Sequence, residues 1–250
     1  MSTGCSPGTE FLYGMNPVFE AVLAQRRAFG CAFLNEQNTE RSRVRTLAGL
    51  LEERGIPLKW VDRGRLSQLA GTRDHQGVVL EAGSFPYTSF TEVLGARRLV
   101  LLDNLEDPQN VGAIMRSAEV FGFSCVLLPR RGCPGVLPSV VKASAGACEH
   151  LRISVNCSSN QYVKIACSEG YAVVALDGGG TVDVADAAAA AHDRLLVVVG
   201  GEGKGVRQYI LNAANAVVRI PQLGRINSLN ASVAAGIALY SFSLGDSAEH

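Results

Sequence analysis

The chain carries no excess of either charge: 23 Lys and Arg stand against 23 Asp and Glu in 250 residues. A polyanionic partner is therefore not announced by bulk charge, and any basic surface has to be local. Seven cysteines (Cys5, Cys31, Cys125, Cys133, Cys148, Cys157, Cys167) form no CxxC pair and no Cys/His ligand spacing, which excludes a zinc-clipped fold and predicts no metal site. Their odd number, with several inside apolar runs, predicts reduced and mostly buried thiols in a cytosol-like compartment. A reactive thiol among them stays open, since nothing in the sequence picks one out.

Long apolar stretches are missing as well. The longest, "LLVVVGG" from Leu195, falls far short of the ~20 residues of a membrane helix. The start, "MSTGCSPGTEFLYG", has no basic n-region and no Arg-rich amphipathic pattern, which predicts neither a signal nor a transit peptide and a cytoplasmic protein. What is present is a globular composition, 47% hydrophobic and 18% charged.

The first eighty residues alternate helical and strand patterns. "NPVFEAVLAQ" predicts a helix with Asn16 as N-cap and Pro17 at its first position. "CAFLN", "PLKWVD" and "GVVLEAG" predict strands; "ERSRVRTLAGLLEERG", closed by Gly55, and "GRLSQLAG" predict helices. This is a small α/β domain over residues 1–82, followed by a Gly/Pro/Ser/Thr-containing linker over 83–96. Residues 97–250 restart with more apolar strands, "RLVLLDNL", "CVLLPR", "YAVVALDG" and "LLVVVGG", separated by helices including "NVGAIMRSAEVFG" and "VADAAAAAH". Buried strands alternating with helices predict a parallel sheet covered on both faces.

In such a sheet, chemistry sits at the strand ends, and three junctions there stand out. In "LLDNLEDPQNVGAIMRSAEVFGF" a strand gives way to a helix starting near Asn110. Arg116 lies six residues on, roughly 240° around an ideal helix. An N-cap Asn and a solvated Arg are the bland reading, although Arg116 is flanked by Ile114, Met115, Ala118 and Val120. "LLVVVGGEGKGV" has glycines at 200, 201, 203 and 205, which permit close backbone approach. Lys204 is followed by Gly205, so this is no Walker A loop, and the spacing is not the dinucleotide fingerprint. Glu202 amid these glycines would orient a ligand or pair with an arginine. In "VVRIPQLGRINSLNASVAAGIALY" a strand ends at Ile220 and Pro221 stops it. A helix starts near Ser228, with Ser228 or Asn227 as N-cap. Capping accounts for one small polar residue there, not three.

The three junctions together, in this order, resemble the signature motifs of the SpoU (TrmH-type) RNA ribose 2′-O-methyltransferases of the SPOUT superfamily. The stretches concerned are "DPQNVGAIMRSAEVFG", "VVVGGEGKGV" and "RIPQLGRINSLNASVAAGIALY", within a resemblance spanning roughly Leu99 to Phe242. "YGMNPVFEAVL" and "RDHQGVVLEA" resemble the L30e-like RNA-binding module of the ribosomal-RNA branch, and "VVKASAGACEHLRI" is similar to a further family segment. Gly201 stands where Ser or Ala is common and Gln222 where Met is common. The resemblance implies an α/β SPOUT domain with a parallel sheet and a deep trefoil knot, preceded by a small L30e-like α/β domain. The knot is an exception to the rule against threading, and periodicity alone predicts an ordinary doubly wound sheet instead.

The resemblance further implies S-adenosyl-L-methionine as donor and a ribose 2′-hydroxyl as acceptor, a guanosine of large-subunit ribosomal RNA in the branch it most resembles. Gly200, Ile220 and Leu229, with Gly201 and Pro221, would line the cofactor, and Arg116 would be the catalytic arginine with Asn110, Glu202, Ser228 and Asn230 around it. A homodimer completing the site is also implied. Arg26, Arg27, Arg41, Arg43, Arg45, Lys59, Arg63, Arg65 and Arg73 form a candidate phosphate-tracking face, set against neutralisation by Glu36, Glu40, Glu52 and Glu53. Removing residues 1–82 would then abolish RNA methylation and spare cofactor binding. Three alternatives stay open: the same chemistry on tRNA or at an antibiotic-resistance site of ribosomal RNA, a non-catalytic RNA-binding relative, and a Rossmann-type oxidoreductase, which would lack its early GxGxxG.

Overall fold

A computed structural model of the chain describes residues 8–190, 193–201, 203, 205–225 and 228–244. The chain divides into two compact units. One runs up to Pro86 and includes Val136–His150; the other comprises Tyr87–Gly135 and Leu151 onward. The expected boundary near residue 82 thus lies close to the first crossing, but the segment 136–150, expected in the second domain, packs with the first.

The first unit begins with β1 (Thr9–Tyr13), α1 (Met15–Ala24), β2 (Phe29–Asn35), α2 (Ser42–Glu53), β3 (Leu58–Val61), α3 (Arg63–Ala70) and β4 (Val78–Gly83). Its sheet has the order β1-β4-β2-β3, with only the β2–β3 pair parallel. Leu12, Val18, Val22, Leu34, Leu47, Leu51, Leu66 and Leu80 are fully buried within it.

The helix expected from "NPVFEAVLAQ" starts two residues early, at Met15, and Asn16 is not its cap. Gly14 holds the N-cap position at φ 100° with no side-chain bond. The Met15 N–H is met instead by Gln76 Oε1 at 3.1 Å, and Asn16 Oδ1 accepts from Arg43 Nη2. The two quoted motifs around Gly14 and Gln76 therefore meet, which local cap statistics cannot show.

His75 in the same motif is buried. Its Nδ1 accepts the Gly77 N–H at 3.1 Å. A backbone N–H only donates, so the imidazole proton sits on Nε2, 3.2 Å from Ser67 Oγ, whose own hydroxyl donates to the Arg63 carbonyl. Protonating Nδ1 would set two donors against each other. Burial, and secondarily Arg63, hold the imidazole pKa below its ordinary value. Its folded pKa lying below its unfolded one, the unfolded chain binds the extra proton first as pH falls. Stability should therefore drop as pH decreases through about 6.5 and below, and His75→Gln should flatten that slope. Urea midpoints of the two proteins between pH 5 and 8 test this; parallel slopes would refute it.

The second unit contains α4 (Phe90–Val93), β5 (Arg98–Asp103), α5 (Pro108–Val120) and β6 (Cys125–Leu127). After α6 (Pro138–Ala143) and a 3-10 turn at Ala147–His150, which belong to the first unit, come β7 (Arg152–Ser154), α7 (Ser159–Ser168) and β8 (Ala172–Leu176). The chain ends with β9 (Val182–Asp183), α8 (Val184–Ala189), β10 (Leu195–Gly200), α9 (Gln208–Ala213), β11 (Ala216–Arg219) and α10 (Ala231–Leu244). The seven strands form one sheet in the order β7-β6-β5-β10-β8-β11-β9, parallel throughout. Leu99, Leu101, Val173, Ala175, Leu196 and Val198 pack with α4, α7 and α9 on one face. The intervening Val100, Leu102, Val174, Val197 and Val199 are equally buried, and α5, α8 and α10 pack together with α10 against β10. Both faces are covered, as the unbroken apolar strands predicted.

The excursion 136–150 closes over α1. Gly146, at φ 91°, leaves no room for a side chain, since a Cβ there would lie 2.6 Å from Glu20 Cβ and 3.1 Å from Pro17 Cα. Glu149 grips Arg27 through Nε–Oε2 at 3.1 Å and Nη2–Oε1 at 2.6 Å, both side chains wholly buried, while Arg27 Nη1 reaches Glu10 at 2.8 Å. Deleting residues 1–82 would strip the cover from Val140, Val141, Cys148 and Glu149, all fully buried. The truncation is therefore not a clean separation of two functions.

Candidate active site

A cleft of about 590 Å³ opens at the carboxyl ends of the central strands. β8 contributes Leu176 and is followed by Asp177, β10 contributes Val199 and Gly200 and is followed by Gly201, and Ile220 follows β11. Ser228, Leu229, Asn230, Ala231 and Ala234 close it from the start of α10. β10 is inserted between β5 and β8, so the strands run outward from it in both directions, the arrangement that leaves a crevice in an open parallel sheet.

The glycines have a sharper purpose than open access to a ligand. A Cβ at Gly200 would stand 2.4 Å from both Gly205 C and Val206 N, and one at Gly201 would stand 1.9 Å from the Asn104 carbonyl oxygen. The loop doubles back on itself, with Gly205 N–H donating to Gly201 O at 3.0 Å and Gly201 N–H donating to Asp103 O at 2.9 Å. Gly203 and Gly205 take φ 81° and 58°, which L side chains resist. Gly201, noted above as a departure from Ser or Ala, thus has no space for either. Glu202 and Lys204 lie outside the described residues.

At the third junction the helix begins at Ala231, and its cap is Asn230 rather than Ser228; Asn227 lies outside the described residues. Asn230 Oδ1 accepts from Ser232 N–H at 2.9 Å and Val233 N–H at 3.3 Å, while its Nδ2 donates to Asn110 Oδ1 at 3.0 Å. One amide thus caps α10 and ties it to α5. Asn110 is buried inside the first turn of α5, and the cap there is Asp107, accepting from Gln109 N–H at 2.9 Å. Ser228 is an exposed residue on the cleft wall.

Of the expected cofactor-lining residues, Gly200, Gly201, Ile220 and Leu229 are on the wall and Pro221 is not. Arg116 is not on it either. Ile114, Met115 and Ala118 are buried and Arg116 is exposed on the opposite side of α5, as the 240° separation from buried Asn110 requires. Asp177, at the end of "YAVVALDG", was overlooked by the motif reading although it terminates a buried strand. Its Oδ1 accepts the Gly179 N–H at 2.9 Å, leaving the carboxylate in the cleft.

The expected basic face of the first unit shrinks by two. Arg27 is buried in its ion pair, and Arg26 donates to the Glu149 and Pro86 carbonyls. Arg41, Arg43, Lys59, Arg63 and Arg73 remain exposed, and Arg45 pairs with Glu40. Among the thiols, burial pushes Cys133 and Cys148 up to about 12 and raises Cys31 and Cys125, so these four are poor nucleophiles at neutral pH.

Comparison with known proteins agrees with this geometry. Residues 97–240 match the SpoU rRNA Methylase family, and residues 11–88 match the domain described as RNA 2'-O ribose methyltransferase substrate binding. The chain is 35% identical over 241 residues to a protein of Mycobacterium sp. strain KMS described as an uncharacterized tRNA/rRNA methyltransferase, covering 92% of this chain and 75% of the relative. It is 29% identical over 238 residues to a TrmH family tRNA/rRNA methyltransferase of Bacillus subtilis, covering 92% and 94%. In fold it is similar to the AdoMet-bound rRNA methyltransferase of Sinorhizobium meliloti (TM-score 0.77, 23% identity, 94% and 87% covered). A similar match is the SpoU methyltransferase AviRb of Streptomyces viridochromogenes, solved with AdoMet (TM-score 0.78, 21% identity, 97% and 92% covered).

Proposed function

Because the chain belongs to the SpoU rRNA Methylase family, we propose that it transfers a methyl group from S-adenosylmethionine to a ribose 2′-hydroxyl of RNA. The observation that carries this is the cleft itself: all three motifs supply its wall or brace it, and four of the five expected cofactor-lining residues, Gly200, Gly201, Ile220 and Leu229, lie on it. Its volume is within the range of small-molecule sites. The donor set also suits the ligand, since exposed backbone of the glycine loop can meet polar edges and the Asp177 carboxylate can accept from hydroxyl or ammonium groups. When bound, the cofactor would supply a sulfonium methyl, its sulfur keeping the S–C electron pair as a neutral thioether while the ribose oxygen exchanged its proton for the methyl.

The chain's own residues then divide the work. Arg116 is assigned a binding rather than a proton-transfer role, because its planar guanidinium fork matches phosphate oxygens in pairs. It binds the phosphate beside the target ribose and orients the hydroxyl. Asn230 and Asn110 act as positioning residues, since both ends of the Asn230 amide are committed to α10 and α5. Ser228 presents a hydroxyl to the ligands.

Arg116 lies outside its own cleft wall, and this favours a site completed by a second copy of the chain. Val233, Ile237, Tyr240 and Leu244 form an exposed apolar stripe at successive spacings of four, three and four along α10, and Val120 is exposed on the adjoining α5. A homodimer through this face would cover the stripe and carry Arg116 to the partner's cleft. Within this reading α10 is the helix of a trefoil knot, a placement supported by its packing against α5, α8 and β10. The acceptor is a guanosine of large-subunit ribosomal RNA, which the resemblance of the N-terminal module favours, and the enzyme is cytoplasmic, which the unpaired cysteines favour. Transfer RNA shares the chemistry, so the substrate is read by mapping ribose methylation in cells with and without the protein.

Calorimetry should show binding of S-adenosylmethionine and none of NAD, and labelled methyl should pass to ribose 2′-oxygens of ribosomal RNA. Binding of NAD alone would overturn the reading.

A further inference from the structure

The second unit holds another concavity, away from the wall just described. It measures about 410 Å³ and is lined by Pro129, Arg130, Arg131, Ser158, Gln161 and Arg207. Three of these six residues are arginines and none is acidic. In a chain of zero net charge this is the local basic concentration that a polyanion would require.

The three arginines are not equivalent. Arg207 is held: its Nη1 lies 3.4 Å from buried Asp103 Oδ1, its Nη2 donates to Asn104 Oδ1 at 2.6 Å, and its backbone N–H donates to Asp103 Oδ2 at 3.1 Å. Asp103 therefore offsets one charge of the three. Arg130 and Arg131 are exposed, and among the described residues neither guanidinium has a carboxylate partner. Among the described residues, two of the three positive charges at this rim thus have no carboxylate partner.

The loop that displays them is pinned. Arg130 N–H donates to the Cys157 carbonyl at 3.1 Å. Gly132, at φ 83°, sits so close to Asn104 that a Cβ would lie 3.1 Å from its Oδ1 and 3.5 Å from Arg207 Nη2. The N-terminus of α7 is closed by its own Ser158/Gln161 capping box, so the side chains and not free helix amides are the binding groups.

We propose that Arg130, Arg131 and Arg207 bind one backbone phosphate of the RNA substrate, at a nucleotide other than the target. Guanidinium forks match phosphate oxygens in pairs, which gives orientation as well as attraction. The Asp103–Asn104 turn that holds Arg207 also braces Gly201 in the cleft wall. A strand tied at this pocket is thereby placed in fixed register with the cleft. The proposal rests on the RNA methylation reading and adds to it a site that the three motifs do not contain.

The test is RNA affinity of the full chain, by fluorescence anisotropy with a labelled single-stranded RNA of mixed sequence across a salt series. Arg130→Gln with Arg131→Gln should weaken binding about tenfold, and the slope of log K against log salt should fall by about 0.7, the release from one single-strand phosphate. Arg152→Gln with Lys164→Gln removes two exposed charges elsewhere in the same unit and should change affinity far less. An equal loss in both pairs would show only a general field and overturn the site, as would unchanged binding in the first pair. A wild-type protein that binds S-adenosylmethionine but no RNA would refute the RNA reading itself, and this proposal with it. Calorimetry with S-adenosylmethionine confirms that each variant has folded.

Discussion

Glu149→Ala should cost the first unit about 3–5 kcal/mol, because it leaves the Arg27 guanidinium buried without its bidentate partner. Both side chains are wholly removed from solvent, and the pair is made through two separate N–O contacts. Glu10 remains beside Arg27, but its side chain is 27% exposed and it meets one nitrogen only. The guanidinium also stacks 4.9 Å from the Phe85 ring centroid, which cannot replace an ionic partner. Trp60, the one tryptophan, lies on β3 in this unit, so its fluorescence during urea unfolding reports the local transition. Replacing both partners, Arg27→Met with Glu149→Leu, should recover most of the loss, since the penalty is that of an unpaired buried charge. A loss under 1 kcal/mol for Glu149→Ala would show that Arg27 relaxes to solvent and that the pair does not anchor the excursion.

That anchor also marks where reading the sequence stopped. The strand and helix pattern of both units was legible because burial imposes it. The β5 and β10 runs are continuously apolar since both their faces are covered. The span 136–150 was assigned by its position along the chain, whereas it belongs with α1 through Gly146 and Glu149. Neither residue betrays a partner more than 100 positions away. Cap assignments failed for a related reason. Asn16, Asn110 and Ser228 are all plausible caps by residue type, yet Gln76, Asp107 and Asn230 satisfy those helix ends. The wall of the cleft was legible because glycine-rich strand ends are local signals. Asp177 was overlooked because a strand ending in Asp-Gly is common and points to nothing until its neighbours are known.

The remaining large effect concerns how Arg116 reaches its substrate. Arg116→Lys should lower turnover with saturating RNA by about a hundredfold, since an ammonium cannot reproduce the paired geometry that orients phosphate and hydroxyl. Near wild-type turnover in that variant would remove the orienting role. The decisive version uses two disabled chains. Arg116→Ala leaves the cleft intact. Gly200→Ala disables the cleft, because the added Cβ meets backbone atoms at 2.4 Å; Ala234→Phe, which fills the cleft from α10, serves if the glycine variant fails to fold. Each homodimer should be inactive. In a hybrid dimer purified through two tags, the intact cleft of one chain faces the intact Arg116 of the other, so one site of two survives. Such a hybrid should recover about half of wild-type turnover, the value a two-fold interface dictates. If Arg116 served its own chain instead, both chains of the hybrid would be disabled and no turnover would return. The same preparation tests the stripe on α10. Ile237→Glu would place a carboxylate in the covered apolar face, and a dimer held there should dissociate and lose activity together.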